Sequence, residues 1–381
     1  MNKNSHIDGE LTQEFLEGLQ HETPFFVFSK KQILENYKEY KKHFPHAMIQ
    51  YAMKANFEPE ILEVLNEAGI GFEVASAYEL RMLKELKVDP KKIVYGTSVK
   101  PASHIKEFFE YGVDRFAFDT FDELAKIAAA APGARVYARM IANDAGSVFQ
   151  FSEKFGTEVE NIAPLLERAK ELGLQPYGIS FHVGSQASNP MAWASAIEKL
   201  APVLEQLKKM DIEIEMINIG GGYPCAYASA EKNITLEEIA EHTMKAFKKL
   251  PYQPKIMLEP GRGMIANTGV VVASIIGKVE RSGNTWLFLD AGAYNALYEA
   301  MVFQGSTRYH ITSMRPLYNS KEVLFAIAGP TGDSLDVLTR EALLPQDIEV
   351  GDKLIIHDVG AYSLVACNPF NGFPKPSVYL V

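Results

Sequence analysis

The chain has 381 residues, long enough for two domains or one large barrel with an addition. Hydrophobic residues make up 47% and charged residues 23%, which excludes intrinsic disorder and collagen-like repeats. Two cysteines, Cys225 and Cys367, are too few for a disulfide scaffold and fit a reducing compartment. With 38 basic and 48 acidic residues the net charge is −10, the wrong sign for a general nucleic-acid or anionic-membrane surface.

The first 25 residues are polar and mixed in charge, with no apolar h-region. The longest apolar run, GVVVASIIG from Gly269 to Gly277, is far short of the ~20 residues that span a bilayer. Both features predict a cytoplasmic protein without membrane or nucleic-acid partners. From about residue 47 to 260, β-rich runs alternate with amphipathic helical stretches. The runs lie at 48–53, 71–75, 93–96, 115–118, 135–140, 177–183, 213–219 and 255–258, with helical patterns at 59–68, 78–86, 121–130, 159–172 and 191–210. Strand alternating with helix implies parallel neighbours, and eight units match a closed (β/α)₈ barrel. An open doubly wound sheet would usually carry a Gly-rich turn after its first strand, where this chain has Lys54-Ala55-Asn56.

After residue 265 the texture changes to strands at 270–276, 285–289, 322–328 and 353–357 with Gly/Pro/Asn/Asp turns. This reads as an all-β domain, a sandwich or barrel, which the N-terminal run 25–28 would join. The expected boundaries are 30–265 for the barrel, and 1–29 with 266–381 for the β domain.

In such a barrel, polar residues at the C-terminal strand ends do the chemistry. Those positions carry Lys54, Glu73, Asp119, Arg139, His182 with Ser185, Gly220-Gly221-Gly222, and Glu259. One or two would be chance, but seven of eight strands end this way. Singly, each has an ordinary structural reading: a snorkelling lysine, a salt-bridged turn glutamate, a core histidine, a tight barrel turn. Together, an amine in a partly desolvated mouth, a carboxylate, a flat imidazole and a glycine loop able to wrap N–H groups around a phosphate fit pyridoxal phosphate. No HExxH, CxxC, GxSxG or P-loop pattern occurs, which argues against a metal site or a serine-hydrolase elbow.

The segments Tyr51-Ala52-Met53-Lys54-Ala55-Asn56, Ser180-Phe181-His182-Val183-Gly184-Ser185, Gly220-Gly221-Gly222-Tyr223-Pro224 and Glu259-Pro260-Gly261-Arg262 resemble motifs of the fold-type III pyridoxal-phosphate decarboxylases. That group holds the ornithine, lysine, arginine and diaminopimelate decarboxylases, with an alanine-racemase-like barrel. The resemblance continues through Gly329-Pro330-Thr331-Gly332-Asp333-Ser334, Asp358-Val359-Gly360-Ala361-Tyr362 and Phe370-Asn371-Gly372-Phe373. Ser152-Glu153-Lys154-Phe155-Gly156 and Gly329-Pro330-Thr331 are most similar to the ornithine/lysine branch.

The resemblance implies decarboxylation of a basic amino acid, L-ornithine or L-lysine, by a cytoplasmic enzyme of polyamine synthesis. Lys54 would form the aldimine with the cofactor and later handle a proton. Glu259 would pair with the pyridine nitrogen, and His182 would stack on the ring. Ser185, Gly220, Gly221, Gly222, Gly261, Arg262 and Tyr362 would hold the phosphate, with Glu73 and Arg139 beside the cofactor. Asp333 would reach in from the partner of a head-to-tail homodimer to meet the distal amine. Glu299, Phe303, Tyr362 and Phe373 are the further candidates for substrate contact.

Two departures stand out. The family's usual Gly-Pro-Thr-Cys-Asp has Gly332 in place of the cysteine, and Val302-Phe303-Gln304 replaces the Tyr-Asp-His of ornithine decarboxylases. These motivate an alternative substrate, a larger conjugated amino acid such as a carboxylated polyamine, siderophore or peptide-antibiotic intermediate. A racemase on the same cofactor and an inactive regulatory homologue are the remaining readings.

Overall fold

The computed structural model describes residues 11–150, 153–228, 234–302, 309–315 and 320–381. The chain divides into two compact units. One comprises Asn36–Pro224 with Ile234–Met264, the other the described parts of Met1–Glu35, Cys225–Asn233 and Ile265–Val381.

The first unit is a closed barrel of eight parallel strands in sequential order: β1 Met48–Ala52, β2 Gly71–Val74, β3 Ile93–Tyr95, β4 Arg115–Phe118, β5 Arg135–Met140, β6 Gln175–Phe181, β7 Met216–Asn218 and β8 Lys255–Leu258. Closure comes from β8 against β1, with Met257 opposite Met48 and Leu258 opposite Ile49. All eight expected strands are present, and most are buried on both faces, which is why they read as short apolar runs rather than alternating ones. Inside the barrel Val94, Ala117, Tyr137, Tyr177, Met216 and Met257 pack together, one side chain from each of six successive strands.

Helix boundaries follow local chemistry. Ser76 caps Ala77–Glu85 and Thr120 caps Phe121–Ala130 by accepting N–H groups of the first turn. Gly112, at φ +107°, ends Ala102–Tyr111 in the left-handed region that a side chain disfavours. The single helix expected over 191–210 is two, Ala192–Glu198 and Leu200–Lys209. Pro202 has no N–H to offer the Glu198 carbonyl one turn back, so the ladder breaks there.

The described residues of the second unit are built around one continuous eight-stranded sheet. Its strands are Phe25–Phe28, β9 Gly269–Arg281, β10 Asn284–Leu289, β11 Ile311–Ser313, β12 Glu322–Ala328, β13 Val337–Pro345, β14 Lys353–Ile356 and β15 Ser377–Leu380. The long β9 serves both halves: it pairs with β14 at its start and with β10 at its end, with a register shift between Ile275 and Gly277. Phe25–Phe28 joins this sheet, antiparallel to β9 and parallel to β15. Leu16, Phe25, Val27, Val270, Val272 and Ile355 form its core.

Candidate active site

Seven of the barrel's strands deliver polar side chains to the same end. Lys54 sits on the 3-10 turn Met53–Ala55 directly after β1. Its Nζ lies 3.0 Å from the Glu73 carboxylate, and 47% of its side chain is open while Glu73 is buried. Glu259 follows β8, with its backbone N–H on the Gly220 carbonyl at 2.9 Å and its carboxylate accepting from Asn218 Nδ2. Burial, with Glu73 adding charge repulsion, raises the Glu259 carboxyl to about 7 against the pull of Lys54, Asn218 and Arg139. Enclosure, then the charges of Arg139 and Lys54, hold His182 well below its ordinary value, so its imidazole is neutral and flat at pH 7. His182 Nδ1 accepts the Gly184 N–H at 3.0 Å.

Arg139 ends β5 with its guanidinium over the Phe155 ring at 5.1 Å. The segment carrying Phe155 is tied back by Thr157 N–H to the Arg139 carbonyl and by Gly156 N–H to Asp119 at 2.8 Å. Ser185 and Arg262 are both buried, with Arg262 Nε 3.4 Å from Ser185 Oγ. Tyr137, beneath the mouth, has a buried hydroxyl with no hydrogen-bond partner among the described residues.

The glycine loop has no room for side chains. A Cβ on Gly220 would stand 2.3 Å from the Phe181 carbonyl, one on Gly221 2.7 Å from that of Glu259, and one on Gly222 2.4 Å from that of Gly184. The loop's three carbonyls accept from Glu259 N–H, Trp193 Nε1 and Ala187 N–H, and Gly220 N–H donates to Asn218. The N–H groups of Gly221 and Gly222 have no acceptor among the described residues. Two bare N–H groups beside a serine and an arginine suit a phosphate, and an enclosed carboxyl suits a ring N–H⁺. The residues therefore fit pyridoxal phosphate.

Sequence reading missed Glu79, Asn218 and Tyr294. Glu79 hides in Ser76-x-x-Glu79, a helix-start pattern, and its carboxylate accepts the N–H of Ala75, the residue before the cap. It is also part of the charge cluster. Burial, with Glu73 adding repulsion, raises it to about 7 against the Ala75 N–H and Lys54.

The remaining candidates belong to the β unit. Asp333 accepts from Tyr294 Oη and from the Leu335 N–H at 3.0 Å, and Tyr294 stacks on Phe370 at 4.6 Å. The loop holding Asp333 wraps around buried Asp336, whose carboxylate takes Ala293 N–H and both the N–H and hydroxyl of Thr331. At Gly332 a Cβ would meet only Asn371 Oδ1, at 3.7 Å, so sterics do not require glycine where the family has cysteine. Glu299 is buried in Tyr298–Val302, Phe373 is half-buried, and Tyr362 sits at φ +56°. Phe303, with Ser152 and Gln304, lies outside the described residues.

The raised Glu259 carboxyl makes a signed prediction for the cofactor-free protein. A carboxyl held above its ordinary 4.5 stabilises the fold fully below that pH and loses the contribution as pH rises through about 7. Glu259→Gln lacks this titration. Between pH 5 and 8 the cofactor-free wild type is expected to lose on the order of 2 kcal/mol relative to the variant, after allowing for water in the open mouth. Urea midpoints at four pH values measure it, and parallel profiles would exclude a titrating Glu259.

The family model for the pyridoxal binding domain of pyridoxal-dependent decarboxylases matches residues 30–266. The lysine/ornithine decarboxylase of Selenomonas ruminantium is 36% identical over 356 residues, 92% of this chain and 88% of that protein. Among solved structures, SrLDC in complex with PLP and cadaverine aligns with a TM-score of 0.89 at 33% identity, over 97% of this chain and 94% of that one. The lysine/ornithine decarboxylase of Vibrio vulnificus complexed with cadaverine gives 0.86 at 28%, over 95% of each chain. The chain belongs to the pyridoxal-dependent decarboxylase family. It is a carboxy-lyase whose cofactor is pyridoxal phosphate. Among the described residues, no helix is long and apolar enough to cross a membrane.

Proposed function

We propose that this chain decarboxylates L-lysine or L-ornithine, releasing CO₂ and the corresponding diamine. The observation that carries the reading is the arrangement at the barrel mouth, where Lys54 Nζ lies 3.0 Å from Glu73 and an enclosed Glu259 and neutral His182 share its electrostatic environment. The names of the relatives favour these two substrates over the conjugated amino acid that Gly332 and Phe303 suggested.

When bound, pyridoxal phosphate supplies a conjugated ring that accepts the electron pair left on Cα as CO₂ departs. The chain's own residues prepare for this. Lys54 anchors the cofactor through Nζ and, as an ammonium beside Glu73, holds a proton for delivery to Cα. Glu259 keeps a proton on the ring nitrogen, and a neutral His182 packs flat without adding a competing charge. Gly221 N–H, Gly222 N–H, Ser185 and Arg262 hold the phosphate. Asp333, supplied by the partner of a homodimer, accepts the substrate's distal ammonium. The two cysteines, neither in a disulfide, support a cytoplasmic setting.

The test is CO₂ release from L-ornithine, L-lysine, L-arginine and meso-diaminopimelate with added pyridoxal phosphate. Turnover of lysine or ornithine at least about tenfold above the other two is expected. Failure of all four with cofactor bound would overturn the substrate reading.

A further inference from the structure

A fully buried tryptophan lies against the glycine loop, and nothing in the mechanism above uses it. Trp193 belongs to the helix Ala192–Glu198 and has no exposed surface. Its indole N–H donates to the Gly221 carbonyl at 3.2 Å. Its ring stacks on Tyr223 with centroids 5.2 Å apart and planes 16° from parallel. Tyr223 in turn meets Tyr40 edge-on at 5.2 Å, so the far side of the loop rests on three packed aromatic rings.

The peptide planes of the loop are not anchored alike. The plane between Gly220 and Gly221 is held by Glu259 N–H on the Gly220 carbonyl, and the plane after Gly222 by Ala187 N–H on the Gly222 carbonyl. Both anchors are backbone groups of neighbouring segments. The plane between Gly221 and Gly222 is held by a side chain, that of Trp193. This plane also has glycine on both sides, with φ +96° at Gly222, so no Cβ opposes its rotation. A trans peptide places C=O and N–H on opposite edges of one rigid plane. The bond that draws the Gly221 carbonyl toward Trp193 therefore turns the Gly222 N–H away from it, to the side where that N–H has no acceptor among the described residues.

We propose that Trp193 is a positioning residue for the cofactor's phosphate, locking the Gly221–Gly222 peptide with its N–H presented to the phosphate oxygens. The inference rests on the reading of the glycine loop as the phosphate site. A role in core packing alone predicts a loss of stability. Peptide locking predicts a loss that follows the phosphate group.

The experiment compares pyridoxal phosphate with pyridoxal, which lacks the phosphate, as equilibrium dissociation constants for the cofactor-stripped full chain. The variants are Trp193→Phe and, because the chain has only two tryptophans, replacement of Trp193 by β-(3-benzothienyl)alanine in a Trp286→Phe background. The analogue keeps the bicyclic shape and exchanges N–H for sulfur, so it decides the matter if the phenylalanine variant folds poorly. Affinity for pyridoxal phosphate is expected to fall roughly five- to tenfold, the worth of one neutral hydrogen bond, while pyridoxal affinity stays within about twofold. Equal weakening of both ligands, or of neither, overturns the proposal. A wild-type chain that binds both ligands equally would overturn the phosphate reading of the loop, and the inference with it.

Discussion

Replacing Lys54 by alanine lowers turnover of the preferred amino acid by at least about 10³-fold, the combined loss of the cofactor's anchor and of a placed proton donor. Two features of the structure support this expectation. Lys54 is set on a short 3-10 turn directly after β1, with nearly half its side chain open to the mouth, so its amine is reachable. Glu73, buried and 3.0 Å away, gives the ammonium a counter-charge without covering it. The variant removes the amine and leaves Glu73 as a buried carboxylate without its ion-pair partner. Borohydride treatment should fix the cofactor to wild type at Lys54 and leave the variant unlabelled. Labelling elsewhere, or turnover within tenfold of wild type, would end the assignment. The same variant tests the assembly. Mixing Lys54→Ala with Asp333→Ala chains restores activity if each site draws Lys54 from one chain and Asp333 from the other. Absence of recovery counts against the shared site.

Glu259→Gln is expected to lower kcat by about 10²–10³-fold while changing cofactor affinity less than tenfold. The amide keeps the size of the side chain and its bond to Asn218 Nδ2. It cannot hold a proton on the ring nitrogen as a carboxylate does. An uncharged ring takes up the electron pair less readily, so the loss appears in the chemical step. Binding is spread over the phosphate contacts, His182 and Lys54 and should change little. The two effects separate in a titration of cofactor followed by single-turnover CO₂ release. If affinity collapses while the bound fraction turns over normally, Glu259 is a binding group and its proposed role is wrong.

The barrel was legible because its signals are local. Parallel strands buried on both faces appear as short apolar runs, and N-caps such as Ser76 and Thr120 depend on residues three positions away. Pro202 is a local signal too, but the apolar period continues through it and masks the break. Strand β13 was not legible. Arg340 and Glu341 are both exposed where β12 and β13 shift register, which interrupts the alternation that marks a strand.

At the site, the residue types at the strand ends can be read from the chain alone: Lys54, Glu73, Arg139, His182, Glu259 and the three glycines. Which of them interact, and with what electrostatics, is set by the folded barrel. Lys54 and Glu73 are 19 positions apart, but Asn218 and Glu259 are 41 apart and bond only because β7 and β8 are neighbours. Closure of the barrel between β8 and β1 brings the chain on either side of Glu259 back to Lys54, with Ala52 N–H on the Pro260 carbonyl at 3.0 Å. The raised carboxyls of Glu79 and Glu259 reflect burial, with repulsion from Glu73 acting on both through space. Trp193 reads in sequence as an ordinary apolar helix residue, and its bond to Gly221 exists only where helix and loop meet.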